Sequence, residues 1–397
     1  MTQEKKENAQ PIRKSFGLKG KIEPELHKSY HSPLVDQIKQ EGYRYQKGRI
    51  RIFLAEEFGF CYGVDRAVDY AYETCAKFPD RRIFLTNEII HNPRVNTKLK
   101  EMGVRFLSGP YAEGETLQDI TSEDVVIIPA FGTSISELDE LEKKGCTLVD
   151  TTCGSVMSVW RRVESYARDG FTSLIHGKFD HEETRATSSR AMRYPGGKFL
   201  VVRDMSETGE VCKFIEGCGN RDHFLGKFKE ACSPGLDPEK DLGFIGCANQ
   251  TTMLSSESIE IAKMLESSFL KRYGKEEAQR RFRHFDTVCS ATQERQDAVL
   301  KLAREGLNLM IVVGGYNSSN TGHLVEISSQ FAPVYHVKDA SCIFSGKLIR
   351  HKAKESMDEQ ETKDWLPEGP VKIGITAGAS TPNRVIEEVI KRILEIA

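Results

Sequence analysis

Three cysteines of this chain stand at the same kind of place. Cys61 lies in Phe58-Gly59-Phe60-Cys61-Tyr62-Gly63-Val64-Asp65-Arg66-Ala67, after the apolar run Ile50 to Ala55 and before a helix-like run from Val64 to Lys77. Cys153 closes Asp150-Thr151-Thr152-Cys153, and a helix is predicted from Ser155 to Asp169. Cys289 closes Asp286-Thr287-Val288-Cys289, ahead of a helix predicted from Ala291 to Glu305. Open α/β sheets bind ligands at the carboxyl ends of their strands, and a helix N-terminus there favours a thiolate over a thiol. Soft thiolates suit zinc or an iron–sulfur cluster, and three of them leave one coordination position open. The spacing is that of neither a zinc finger nor a ferredoxin. Taken alone it also fits three unrelated buried cysteines, because free Cys packs well as a small hydrophobe. That packing reading is preferred for Cys75, Cys146, Cys212, Cys218, Cys232, Cys247 and Cys342, which lack the strand-to-helix placement.

Other polar residues gather at strand ends. Gln250-Thr251-Thr252, Ser318-Ser319-Asn320 and Ser380-Thr381 offer hydroxyls, amides and backbone N–H groups where helices start. Such places bind phosphate without a large positive charge, although each taken singly is an ordinary N-cap. His91 and His181 lie in strand-end loops and can donate to a diphosphate, or be merely structural. Glu183, two residues past His181, is a candidate proton donor, since burial or nearby anions raise a carboxyl pKa toward neutrality. Its bland alternative is a first-turn glutamate favoured by the helix dipole.

The elements that must position these residues alternate from Arg49 onward. Val125 to Pro129 is a continuous apolar run of the buried parallel type, and Leu309 to Val313 is a buried strand. Short strands are expected at Arg82 to Thr86, Val104 to Phe106, Thr147 to Val149, Phe171 to Ile175, Phe199 to Val202, Leu242 to Cys247, Val334 to Val337 and Val371 to Thr376. Asn92 with Pro93 signals one helix start, and Ser134 or Ser136 with Gly145 brackets another helix. Helices are also expected from Ser255 to Tyr273 and from Asn383 to Ile396. Residues 207–241 defy assignment, and 338–366 read as charged and loop-rich. Strand–helix alternation predicts an α/β protein with parallel sheets. The three cysteine-bearing units predict three similar α/β domains around one central site: 49–152, 153–285 and 286–397, with the first strand and Cys61 able to pack with the third. Residues 1–48 read as an extension, disordered at its start, that lies against the body later and carries no chemistry.

The chain has 397 residues, with 56 Lys plus Arg against 58 Asp plus Glu, for a formal net charge of −2. That balance argues against a general nucleic-acid or membrane-surface role, and no stretch is apolar enough to span a bilayer. Scattered cysteines fit a reduced compartment. The start mixes acids and bases and is no secretory signal. A bacterial cytoplasm is the expected location, or a plastid stroma if a transit peptide has been removed.

Assembled in order, Gly59 to Ala67, Glu88-Ile89-Ile90-His91-Asn92, Asp150 to Cys153, His181-Glu182-Glu183, Gln250-Thr251-Thr252, Cys289 with Ala291-Thr292, Ser318-Ser319-Asn320 and Thr376-Ala377-Gly378-Ala379-Ser380 resemble the 4-hydroxy-3-methylbut-2-enyl diphosphate reductase family. Its members perform the last step of the methylerythritol phosphate route to isoprenoid precursors. The pieces span about residues 50–397, and His176-Gly177-Lys178 with Ala248-Asn249-Gln250 looks like the cyanobacterial and plant branch. The resemblance implies a trefoil of three α/β domains around a [4Fe-4S] cluster held by Cys61, Cys153 and Cys289, whose open iron takes the substrate hydroxyl. It implies diphosphate contacts from His91, His181, Thr251, Ser318, Asn320 and Ser380, with Ser319 between two of them. Glu183 matches the proton-delivering acid, aided by Thr251. The products would be isopentenyl and dimethylallyl diphosphate, with ferredoxin or flavodoxin as electron donor. Two positions depart from the common pattern: Phe131 stands where many members have histidine, and Gly154 where proline usually follows the second cysteine. Rival classes are a zinc-dependent hydrolase, which would be colourless and indifferent to reductant, and a non-catalytic iron-sensing module, which would need neither Glu183 nor phosphate-type loops.

Overall fold

In the computed structural model, residues 10–353 and 356–396 are described. Among them the strands form three mainly parallel sheets and one small antiparallel sheet. The architecture is α/β, as the alternation predicted. The residues gather into two compact units.

The first unit comprises residues 80–87 and 104–289 together with the segment ending at Arg13. It carries two four-stranded parallel sheets. One sheet orders Val104–Phe106, Ile83–Leu85, Val125–Ile128 and Thr147–Asp150 side by side. The other orders Phe282–His284, Ile245–Asn249, Thr172–His176 and Phe199–Val202. Val125–Ile128 is buried along its whole length, as a parallel strand covered on both faces must be. At the edge of the first sheet, Ile12 bridges Val149 in parallel, and Arg13 pairs with Asp150 at 2.7 Å.

The second unit comprises residues 14–79, 88–103 and 290–397. Its five-stranded sheet runs Arg44–Lys47, Ile50–Leu54, Val371–Ala377, Leu309–Val313, Val334–Val337. All its pairings are parallel except the first. The strand that leads to Cys61 therefore hydrogen-bonds to the strand that leads to Ser380.

Several local expectations hold. Asn92 caps the helix Pro93–Glu101. Ser134, with Glu137, forms a capping box on Ile135–Lys144, and Gly145 ends that helix at φ 71°. Others need correction. Residues 338–366 are not mainly loop: Ile343–Ser345, Leu348–Lys352 and Glu359–Lys363 form an antiparallel sheet whose cross-strand pairs include Arg350 with Glu361. Charged alternation on a half-exposed hairpin hid the strands. The unassigned 207–241 stretch holds the helices Met205–Ile215, Arg221–Lys227 and Pro238–Asp241. The Ser255 helix continues to Arg281 across a break at Gly274.

The extension is more structured than its polarity suggested. Lys19–Tyr30 and Pro33–Gln40 are helices, and Glu73 receives hydrogen bonds from the Ser15 hydroxyl and the Phe16 and Leu18 N–H groups. The expectation of disorder at the start concerns residues 1–9, which lie outside the described ones.

Candidate functional site

Glu183 sits in the first turn of the helix Glu182–Ala191, where a carboxylate complements the dipole. It is 1% exposed. Its Oε1 accepts the Thr251 N–H at 2.6 Å and its Oε2 accepts the Thr251 hydroxyl at 2.9 Å. Thr251 follows the strand Ile245–Asn249, and its carbonyl accepts the N–H of Cys289 at 3.2 Å. One threonine thus ties the candidate acid to a candidate ligand cysteine through three hydrogen bonds. His181 caps the same helix, its Nδ1 accepting the Glu183 N–H at 3.1 Å. In the neutral ring that leaves the proton on Nε2. The Phe131 ring meets His181 edge-on at 5.7 Å, so at this departing position an aromatic wall orients the histidine.

A second network lies in the other unit. The Cys61 N–H donates to the Ala379 carbonyl at 3.2 Å, and the Ala379 N–H donates to Asn320 Oδ1 at 2.9 Å. The Ser380 hydroxyl donates to the His91 carbonyl at 3.1 Å. His91 Nδ1 faces Glu88 Oε2 at 3.1 Å, and Asn317 donates to the same oxygen at 2.8 Å. Ser318 caps the helix Ser319–Ser328, so backbone N–H groups and a positive dipole end collect at Ser318-Ser319-Asn320. The Asn320 Nδ2 and Ser319 Oγ are buried without a hydrogen-bond partner. Unsatisfied buried donors at a helix start suit an anion. Close approach is built in: a Cβ on Gly315 would lie 2.6 Å from the His91 carbonyl oxygen.

Cys61 and Cys153 are the N-cap residues of Tyr62–Lys77 and Gly154–Arg168, and Cys289 directly precedes Ser290–Leu302. All three are partly exposed and none is in a disulfide. A soft donor at a helix start suits a thiophilic metal centre. Other cysteines lack that character. Burial pushes the Cys75 and Cys146 thiols up to about 11 and the Cys247 thiol up to about 12. Burial also raises Cys212 and Cys232. At Gly154 a Cβ would meet nothing within 4 Å, so packing there does not demand glycine.

Reading for donors and ligands missed the groups that brace them. Glu88 and Asn317 hold His91. Gln250 accepts from the Lys178 N–H at 3.1 Å and the Thr184 hydroxyl at 3.0 Å. Arg295, 2% exposed, donates to the Gly59 carbonyl at 2.7 Å and so fixes the turn before Cys61. Glu88 and Gln250 stand inside motif runs and were findable. Arg295 stands outside every motif run.

The chain is similar to known proteins over most of its length. The LytB protein family model matches residues 52–394. The 4-hydroxy-3-methylbut-2-enyl diphosphate reductase of Thermosynechococcus vestitus is 48% identical over 386 residues, covering 97% of this chain and 94% of its own. The enzyme of that name from Gloeobacter violaceus is 48% identical over 97% of this chain and 92% of its own. The solved structure of (E)-4-hydroxy-3-methyl-but-2-enyl diphosphate reductase, described as the terminal enzyme of the non-mevalonate pathway, matches with TM-score 0.52 and 28% identity, over 87% of this chain and 99% of that one. A structure of the Plasmodium falciparum E-1-hydroxy-2-methyl-but-2-enyl-4-diphosphate reductase shares the fold, with TM-score 0.63 at 23% identity over 86% of both chains. With a family model covering most of its length and relatives near half identity end to end, the chain belongs to the LytB family of 4-hydroxy-3-methylbut-2-enyl diphosphate reductases.

Proposed function

We propose that this chain is an oxidoreductase that removes the hydroxyl of 4-hydroxy-3-methylbut-2-enyl diphosphate to give isopentenyl and dimethylallyl diphosphate, using a [4Fe-4S] cluster held by Cys61, Cys153 and Cys289. The observation that carries the reading is the buried Glu183–Thr251–Cys289 connection, which couples a proton source to a thiolate ligand. When bound, the cluster supplies electrons singly and an iron with an open position.

The chain's own residues do the rest. Glu183, whose carboxylate Thr251 orients, takes up a proton and delivers it to the departing hydroxyl, directly or through the Thr251 oxygen. Asn320 Nδ2, Ser319 Oγ and the N–H groups after Ser318 bind the diphosphate, with His91, His181 and Ser380 beside it. Fixing the anionic tail restricts the orientation of the reacting carbon, which is catalysis by positioning. Loss of the hydroxyl as water takes two electrons and two protons per product. A ferredoxin or flavodoxin is the proposed electron source. No helix among the described residues is long and apolar enough to cross a membrane. The bacterial cytoplasm is the proposed setting, or the plastid stroma if a transit peptide has been removed.

Mössbauer spectroscopy of anaerobically prepared, ⁵⁷Fe-labelled protein tests the reading. One iron of four that shifts on adding substrate is the expected result. Zinc, no metal, or a cluster whose irons ignore the substrate would overturn it.

A further inference from the structure

The helix that opens with Glu182 and Glu183 closes with a buried cation. Arg190 is 6% exposed, and its guanidinium lies 4.1 Å from the centre of the Trp160 ring. Its one hydrogen bond runs from Nη2 to the Thr133 carbonyl and is long at 3.4 Å, while Nε has no partner. Among the described residues no carboxylate comes within ion-pair distance. Asp150 and Glu164 act on it only at longer range, and they are paired with Arg13 and Arg193. Burial holds the guanidinium below its usual range. The indole face offsets part of the desolvation cost, but a buried cation without a counter-ion is otherwise unfavourable.

The same indole belongs to a small apolar patch with Val156 and Ala186, against which Cys153 and Met157 pack. Gly132, at φ +81°, makes room for it, since a Cβ there would lie 2.3 Å from the ring. Arg190 and Cys153 therefore border the same apolar patch, where charge–charge effects are less screened than in bulk water.

We infer that Arg190 is a positioning residue for electrons: its uncompensated charge stabilises the more negative, reduced state of a cluster ligated by Cys153 and so raises that cluster's reduction potential. The inference rests on the iron–sulfur reading above. The step concerned adds one electron from an external one-electron reductant to the oxidised cluster, with no bond made or broken. Net charge near a cluster is one of the levers that set its potential.

The test is an electron-paramagnetic-resonance redox titration of the holoprotein and of Arg190→Met, Arg190→Gln and Arg190→Lys, with iron content measured alongside. At the poise that half-reduces the parent, the Met and Gln variants are expected to show a reduced-to-oxidised ratio about tenfold lower, equivalent to about 59 mV for one electron. Lys should stay close to the parent. An unchanged ratio in Met and Gln at full iron content would overturn the inference. So would a fall in Lys equal to that in Met, or loss of the cluster from both neutral variants, which would make Arg190 a packing residue. A parent protein with no cluster signal would sink the cofactor reading and this inference with it, an outcome distinct from the others.

Discussion

Glu183→Gln separates proton delivery from architecture. The carboxylate accepts two hydrogen bonds from Thr251, from its N–H at 2.6 Å and its hydroxyl at 2.9 Å. A glutamine keeps both: its carbonyl accepts the N–H, and its amide donates to the hydroxyl oxygen, which turns to accept. What disappears is the charge assistance, roughly half the strength of each bond, offset by the relief of a buried charge. Stability should therefore change by no more than about 1–2 kcal/mol. Turnover should fall by about 10²–10⁴, the range of a lost general acid. Glu183→Ala is the contrasting variant, because it leaves the buried Thr251 N–H unpaired at about 1–3 kcal/mol and opens a cavity as well. Thr251→Val keeps the N–H and removes only the hydroxyl, so a relay through Thr251 makes its turnover fall as far as the Gln variant's. The assay is anaerobic turnover with a fixed chemical reductant, alongside iron content and substrate affinity. A Gln variant that holds its cluster and turns over within tenfold of the parent would refute the assignment. Cluster loss in that variant would refute the claim that Glu183 acts on the proton and not on the cluster.

Four further outcomes are expected. Gly315→Ala brings a methyl to 2.6 Å from the His91 carbonyl oxygen, so KM for the substrate should rise by about tenfold or more with iron content kept, at a cost of about 1–3 kcal/mol for overpacking; an unchanged KM would place the diphosphate elsewhere. Cys153→Ser should lose iron while Cys247→Ala keeps it, and the reverse pattern in iron analysis would dismiss the ligand assignment. His336 is held down to about 4 by burial, with the Lys352 ammonium adding to the effect. Between pH 6.5 and 4 the unfolded chain binds a proton that the folded one refuses, so stability present above pH 6.5 is lost as pH falls, by about 3 kcal/mol when complete. Denaturant titrations of His336→Gln, whose amide can still donate to the Gly314 carbonyl, should show a shallower acid limb, and an identical limb would clear His336 of that role. Glu73→Ala strands the Phe16 and Leu18 N–H groups, so protease cleavage near residues 14–18 should quicken by about 30-fold, corresponding to about 2 kcal/mol; an unchanged rate would show that the segment is held by other contacts.

Much of this protein is written locally. The capping box at Ser134 and Glu137, the Asn92–Pro93 start and the Gly145 stop could be read because caps are satisfied within a few residues of themselves. The runs Val125–Ile128 and Leu309–Val313 announced parallel strands because both faces of such a strand are covered. The cysteines at helix starts, the polar strand-end loops and the order of the motifs followed from the same local reading. The hairpins of 343–363 escaped it, since half-exposed strands rich in charge look like loop until their partners are known.

Tertiary structure alone decided which distant groups meet. Ile50–Leu54 pairs with Val371–Ala377, and Glu183 finds Thr251 across two strands of another sheet. The extension is caught by Glu73 on the Cys61 helix. Arg190 lies against Trp160, with no carboxylate among the described residues within ion-pair distance. None of these pairs carries a signal at either residue, because a hydrogen bond or a ring contact constrains positions in space and not their separation along the chain. The sequence determined what each strand end can donate, accept or ligate. Packing of the sheets within each unit determined which of those groups meet.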